Sequence, residues 1–249
     1  MCFDIFIFPN SHYICALFIN LMAKTIYKGY PKIHVAVDCV VFTYDNGQLK
    51  VLLYPRNIEP CKGDWSLMGG FVANQESLED AARRVLLQTV GLHDIFLEQV
   101  AAFSQPDREP AERVISMAFY ALICNDNHNR ELVEEHNGEW FPITELPSLV
   151  FDHKNMIDIA LQRLQYKASH ELLGRELLPR KFTLTQLNNL YNAIFQHTFD
   201  PGNFRKKVAS LNVLLQTADK DTVSSKKGAY FYVFPHNYEP KDYCQIVKF

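Results

Sequence analysis

The chain has 249 residues, 48% of them apolar, 21% charged and 13% aromatic, which excludes a disordered, collagen-like or low-complexity polymer and leaves room for one large domain or two smaller ones. Charge favours two, because residues 1–165 carry 13 Lys plus Arg against 21 Asp plus Glu, a net of −8, whereas 166–249 carry 12 against 7, a net of +5. An acidic body with a basic end module fits a sensor fused to a nucleic-acid binder, since phosphates attract clustered Lys and Arg; charge alone is equally consistent with an uneven surface.

Residues 1–31 form an N-terminal extension. Its first 21 residues are apolar but include Asp4, Pro9, Asn10, Ser11 and His12, so no uninterrupted stretch reaches the roughly 18 residues that a membrane span needs. A signal peptide needs early positive charge, and the first Lys is Lys24. The segment is either a short docked strand or lies upstream of a true beginning at Met22, and no function is assigned to it. Cys2, Cys15, Cys39, Cys61, Cys124 and Cys244 show no CxxC pair and no His at metal-ligand spacing, so they read as reduced thiols of a cytoplasmic protein.

Residues 32–168 make up the first domain. Ile33 to Thr43 and Leu49 to Tyr54 are apolar and largely β-branched across Asp45, Asn46 and Gly47, which predicts a hairpin. Ser77 to Thr89 has helical spacing with Gly91 as its stop. Phe96 to Phe103, Val114 to Cys124 and Glu139 to Pro142 are strand-like, and Asn155 to Tyr166 reads as a helix. Strands with helices inserted at intervals predict an α/β (α+β) sandwich.

Residues 169–181 lack a clean period, carry Gly174 and Pro179, and read as a linker. Within 182–249, Thr183 and Gln186 form a capping-box pattern ahead of Leu187, Leu190, Tyr191, Ile194 and Phe195 on one helical face. Asp200 and Pro201 then open a second helix, Gly202 to Leu215, with Arg205, Lys206 and Lys207 in its first turns. A polar stretch with Lys226 and Lys227 leads to a strand at Tyr230 to Phe234. Helix, turn, basic helix and basic-tipped hairpin describe a winged helix-turn-helix.

From Gly70 to Leu92 the residues resemble the Nudix hydrolase signature with its spacing intact: Gly70, Glu76, Arg84, Leu86, Gly91 and Leu92 match, while Val85, Gln88 and Thr89 stand where the signature has carboxylates. Positions 85, 88 and 89 share a helical face where three carboxylates would hold Mg²⁺, and Val, Gln and Thr cannot. Without a metal to polarise a phosphoryl oxygen and orient water, little or no hydrolase activity is expected, and neither metal nor cofactor.

With its basic module, the chain from about Lys32 onward resembles the Nudix-related transcriptional regulators. That resemblance implies a Nudix-like mixed-sheet α/β/α sandwich used as an effector sensor, then a winged helix on operator DNA. WSLMGGF (Trp65 to Phe71), DREPAERVIS (Asp107 to Ser116), FDH (Phe151 to His153) and NFRKKVASL (Asn203 to Leu211) look closest to the branch that senses L-arabinose; other members sense ADP-ribose-like ligands. Arabinose is therefore the first candidate effector and an ADP-ribose-like molecule the second.

Trp65, Gln105, Asp107, Arg108 and Arg113 supply the aromatic face and polar groups that a sugar pocket needs, with structural ion pairs of Asp107 and Arg113 as the alternative. His153 reads as a structural histidine. Asn203, Arg205, Lys206 and Lys207 are expected at bases and phosphates in the major groove, Arg205 foremost, and Lys226 and Lys227 at phosphates. A single helix-turn-helix reads few base pairs and such proteins usually act as two-fold dimers, so a homodimer is expected. The runner-up reading is a metal-dependent Nudix hydrolase of a nucleoside-diphosphate derivative, rescued by Glu112, Glu134 or Glu135. A pure interaction scaffold would leave the basic helix unexplained.

Overall fold

The computed structural model describes residues 28–93, 95–124, 131, 133–223, 228–243 and 246–247. The chain divides into two units, Met1–Ile33 and His34–Phe249. In the first, the described residues are a turn and a short irregular stretch.

The second unit is built around β1 (His34–Asp45), whose interior is buried because both faces of its sheet are covered. The Asp45–Gly47 turn, with Asn46 and Gly47 at positive φ, folds the chain back into β2 (Gln48–Pro55). Two short strands follow, β3 (Trp65–Ser66) and β4 (Met68–Phe71), then α1 (Leu78–Val90), β5 (Phe96–Phe103), β6 (Val114–Cys124) and β7 (Glu139–Pro142). Along one edge β1 pairs in parallel with β6 from His34 to Tyr44. Its other edge is divided: Ala36–Cys39 pair with β4, and Phe42–Asp45 pair with β2. Asp38 lies in the β4-paired half, opposite Gly69.

α1 covers one face through Ala81, Ala82, Val85, Leu86 and Val90. Its start is fixed by reciprocal bonds between Ser77 and Asp80, and Gly91 ends it in the left-handed conformation. The other face is covered by α2 (His153–His170), which is longer at both ends than the expected helix and buries Met156, Ile157, Ala160, Leu164 and Ala168.

β8 (Phe182–Thr183), α3 (Leu184–Phe195), α4 (Pro201–Ser210), β9 (Leu215–Asp221) and β10 (Ala229–Val233) form the winged helix, its sheet ordered β8-β10-β9. The expected capping box on Thr183 and Gln186 is present, and Asp200 with Pro201 opens α4 as anticipated. α4 stops five residues short of the expected Leu215, because Asn212 turns left-handed and Leu215 pairs with Val233. The first strand of the expected hairpin was given no bounds by the sequence; it is β9, which begins at Leu215 and runs into the polar stretch, held by pairing with β10. Among the described residues no helix is long and apolar enough to cross a membrane.

The segment 169–181 is not a solvent-exposed tether. Its first two residues end α2, and Leu172, Leu173, Leu177 and Leu178 are buried in the cluster that holds Val40 and Phe42 of the sheet, Leu164 of α2 and Leu187 and Tyr191 of α3. No period shows in its sequence because its leucines face several elements in turn. Leu177→Ala should therefore destabilise the sheet and the winged helix together, by about 2–5 kcal/mol for a buried truncation. Chemical denaturation followed by probes in both halves should give one shared transition; separate midpoints would show independent cores.

Candidate functional site

Asp38 is buried in β1 between Val37 and Cys39, in the stretch that pairs with β4. Burying a carboxylate is costly unless it is paired and hydrogen-bonded, and three neighbours serve it. Ser116 on β6 donates its hydroxyl to Asp38 Oδ2 at 2.6 Å. Arg108, from the loop between β5 and β6, places Nη2 3.7 Å from Asp38 Oδ2 and grips Asp152 in a fork, Nη2 to Oδ1 at 2.7 Å and Nε to Oδ2 at 3.0 Å. Asp152 immediately precedes α2 and spends its side chain on this arginine in place of capping the helix. His153, the first residue of α2, has Nε2 3.6 Å from Asp38 Oδ1.

The backbone N–H of Leu67 donates to His153 Nδ1 at 3.1 Å, which leaves the ring proton on Nε2, facing Asp38. Burial, opposed by Asp38 and Asp152, holds the His153 pKa below its ordinary value, so the ring is neutral. Ser66, His153 and Asp38 line up in the order of a hydrolytic triad without its chemistry. The Ser66 hydroxyl donates to the Leu67 carbonyl at 2.9 Å, and the Nδ1 lone pair is taken by Leu67 N–H.

Above this network lies a narrow cleft floored by Asp38, Gly69 and Gly70 and walled by Arg56, Phe71, Arg108 and Phe151. A Cβ on Gly69 would stand 2.2 Å from Asp38 Oδ1, so glycine is required for the carboxylate to sit under β4. The Arg56 guanidinium lies over Phe151, 5.1 Å from the ring centroid. Its Nε donates to the carbonyls of Ile58 and Pro60, at 3.2 and 2.8 Å.

Of the five residues expected to bind an effector, the structure brings Arg108 alone into the cleft. Trp65 packs edge-on to Phe141, ring centroids 4.9 Å apart, against the core beneath α2. Gln105 and Asp107 are exposed. Arg113 clamps its own loop, donating to the carbonyls of Ser104 and Gln105 at 2.8 and 3.0 Å. The sequence reading missed Asp38 and Arg56. A lone carboxylate inside the run IHVAVDCVVFT was the available signal for the first.

What remains of the Nudix signature is structural. Arg84 forks onto Glu76, Nε to Oε2 at 2.9 Å and Nη2 to Oε1 at 2.6 Å, and also donates to the Phe71 carbonyl at 2.9 Å. Glu76 accepts from Ala73 N–H at 2.6 Å. These bonds lower the Glu76 pKa to about 2 and commit the one surviving carboxylate to the loop before α1. Val85 is buried, and a Cβ on Gly70 would stand 2.8 Å from its Cγ2; Gln88 accepts from Arg84 Nη1 at 3.3 Å. With Val85, Gln88 and Thr89 at the three carboxylate positions, the residues there do not fit the divalent cation that the Nudix fold implies, and among the described residues no group of three or more His, Cys, Asp or Glu is placed to hold a metal ion. Glu112 is exposed and pairs with His34 at 2.7 Å; Glu134 and Glu135 are exposed, and among the described residues none of the three belongs to such a group.

In the winged helix, Phe204 and Val208 fix the buried side of α4. At 100° per residue, Lys206 falls almost opposite them, and it is exposed. Arg205 lies on the flank towards α3, where its Nη2 donates to Thr185 Oγ1 at 2.9 Å. Asn203 is exposed, with its backbone N–H capped by Asp200 at 2.7 Å, and Lys207 is half-buried. Lys226 and Lys227 lie outside the described residues.

A Nudix-type fold without its metal carboxylates, joined through one core to a winged helix, is the architecture of a DNA-binding regulator with an effector domain. The NUDIX domain model matches residues 32–159, and the model described as the NrtR DNA-binding winged helix domain matches 174–234. The ADPR responsive transcriptional repressor NtrR of Acinetobacter baylyi is 32% identical over 209 residues, 82% of this chain and 83% of that protein. An ADP-ribose pyrophosphatase of Methanocaldococcus jannaschii is 34% identical over 131 residues, 53% of this chain and 75% of that protein. The crystal structure of Shewanella oneidensis NrtR complexed with a 27mer DNA has a TM-score of 0.72 at 28% identity, covering 81% of this chain and 93% of that one. The chain belongs to the NrtR family of Nudix-domain transcriptional regulators. Both curated relatives carry ADP-ribose in their names, and the L-arabinose expectation finds no support among them.

The neutral His153 has a pH consequence. The unfolded imidazole takes up a proton near its ordinary pKa of 6.5, whereas the folded one resists it, so stability present above that pH is lost as the pH falls. Thermal unfolding between pH 7.5 and 5.5 should show a falling midpoint in the parent and a shallower fall in His153→Gln; parallel curves would mean that folding leaves the ring's pKa where it stands in the unfolded chain.

Proposed function

We propose that this protein is a transcriptional repressor that binds operator DNA as a homodimer, in the cytoplasm, and changes its operator affinity when ADP-ribose occupies the Nudix domain. The observation that carries this reading is likeness to the ADPR responsive repressor across both modules. The cleft supports it chemically. Arg56, hydrogen-bonded to carbonyls, offers a guanidinium to a diphosphate, and the rings of Phe71 and Phe151 offer apolar faces to ribose or adenine. The domain acts as a receptor without turnover, because Val85, Gln88 and Thr89 leave no carboxylate set for metal. Likeness to an ADP-ribose pyrophosphatase favours the hydrolase reading as the competitor.

ADP-ribose should raise the thermal midpoint and alter anisotropy-measured affinity for a duplex selected from a random pool, with no phosphate-ester product released in Mg²⁺ or Mn²⁺. Metal-dependent turnover would establish the hydrolase instead, and absence of any ADP-ribose effect would remove this effector. L-arabinose is the control and should do nothing.

On the DNA side, Lys206→Ala should cost about 1–3 kcal/mol of specific binding and Arg205→Ala no more than that, since Arg205 is turned towards Thr185. A competition titration decides the order. Equal binding by the Lys206 variant and the parent would show that α4 presents another face to the duplex.

A further inference from the structure

After β10 the chain returns to the far end of α2. The N–H groups of Tyr243 and Ile246 donate to the carbonyls of His170 and Ser169, at 2.8 and 2.6 Å, in the last turn of that helix, where backbone acceptors have no partner within the helix itself. Ile246 and Val247 are 4% and 7% exposed. They belong to the apolar cluster that contains Phe204 and Val208 of α4, and they share a groove with Phe199, Asn203 and Lys207 at the start of that helix. These residues lie beyond the stretch 174–234 that the winged helix model matches. The opposite end of α2 is anchored in the cleft, Asp152 by the Arg108 fork and His153 beside Asp38. One helix of 18 residues, about 27 Å long, thus has the cleft at its first turn and this segment at its last.

We propose that Tyr243, Ile246 and Val247 form a clasp that holds the reading helix α4 to the end of α2, so that a displacement of α2 at the cleft is passed to the DNA-contacting face. The holding role stands on the contacts alone; the passing role rests on the effector reading given above. The clasp touches α2 through backbone bonds and α4 through side chains, so shortening the side chains frees α4 while leaving the capping of α2 in place.

The test uses the full-length protein with Ile246→Asp and, as a milder change that keeps the fold, the pair Ile246→Ala and Val247→Ala. Amide hydrogen exchange should quicken in α4 by about tenfold or more while β1 and β6 keep their protection, since local opening is set by local contacts. ADP-ribose should then shift operator affinity less than twofold in the variant, against the roughly 5- to 150-fold typical of coupled sites in the parent. Unchanged α4 exchange in the paired variant would overturn the clasp. Faster α4 exchange with the full ADP-ribose effect retained would overturn its role in passing the signal. If the parent itself shows no ADP-ribose effect, the effector reading fails, and the exchange result alone still decides whether the clasp holds α4.

Discussion

A carboxylate in the middle of β1 organises the effector domain. Asp38 has apolar residues on either side along the strand, yet it is buried, and a buried charge left alone would cost several kcal/mol. The chain meets that cost with Ser116, Arg108 and His153, drawn from a neighbouring strand, a loop and a helix start. Each partner is then constrained in turn. Arg108 needs Asp152, His153 needs the Leu67 N–H, and the strand above needs Gly69 to make room. The β5–β6 loop, the β3–β4 region and the first turn of α2 are thereby fixed to one point on the sheet. A ligand that bonds any member of this set changes the balance for all of them.

The degraded signature shows that folding and metal binding make separate demands on one motif. Glu76 and Arg84 persist because together they bond the Phe71 carbonyl and the Ala73 N–H, and so shape the loop that enters α1. The positions that would hold a cation carry no such duty. Val85 can serve as an apolar contact beneath Gly70, and Gln88 as an acceptor for Arg84, with the helix unchanged. Three carboxylates on one helix face would repel one another, and Val85, Gln88 and Thr89 carry no such cost.

Much of the fold was legible because local signals and tertiary demands agree. The β1–β2 hairpin, the caps at Thr183 and Asp200, and the stop at Gly91 all follow from backbone chemistry near each residue. The bounds of β9 were hidden, since LQTADKD has no apolar alternation and is held as a strand by pairing with β10. Segment 169–181 was hidden for the opposite reason: its leucines are buried, but against several partners, which leaves no period to find. The candidate site was read least well. Gln105 and Asp107 neighbour Arg108 in sequence, and the loop sends only Arg108 inward, because only Arg108 meets carboxylates from β1 and α2.

Burial of those leucines also determines how the two modules can communicate. A flexible tether would let the winged helix sample many attitudes, and effector binding could then act only by restricting them. Here the joint is packed: Gln165 of α2 donates to the Ile194 carbonyl of α3 at 2.9 Å, and the Tyr191 hydroxyl bridges Glu171 and Leu173. Packed joints move between discrete arrangements, since intermediate positions open voids that cost contacts on both sides. On the effector reading proposed above, a small displacement of α2 would be passed by this joint as a choice between attitudes of α3 and α4. A reading helix needs its side chains placed to within a fraction of a hydrogen-bond length to discriminate bases, so such a choice is enough to change operator affinity without unfolding either module.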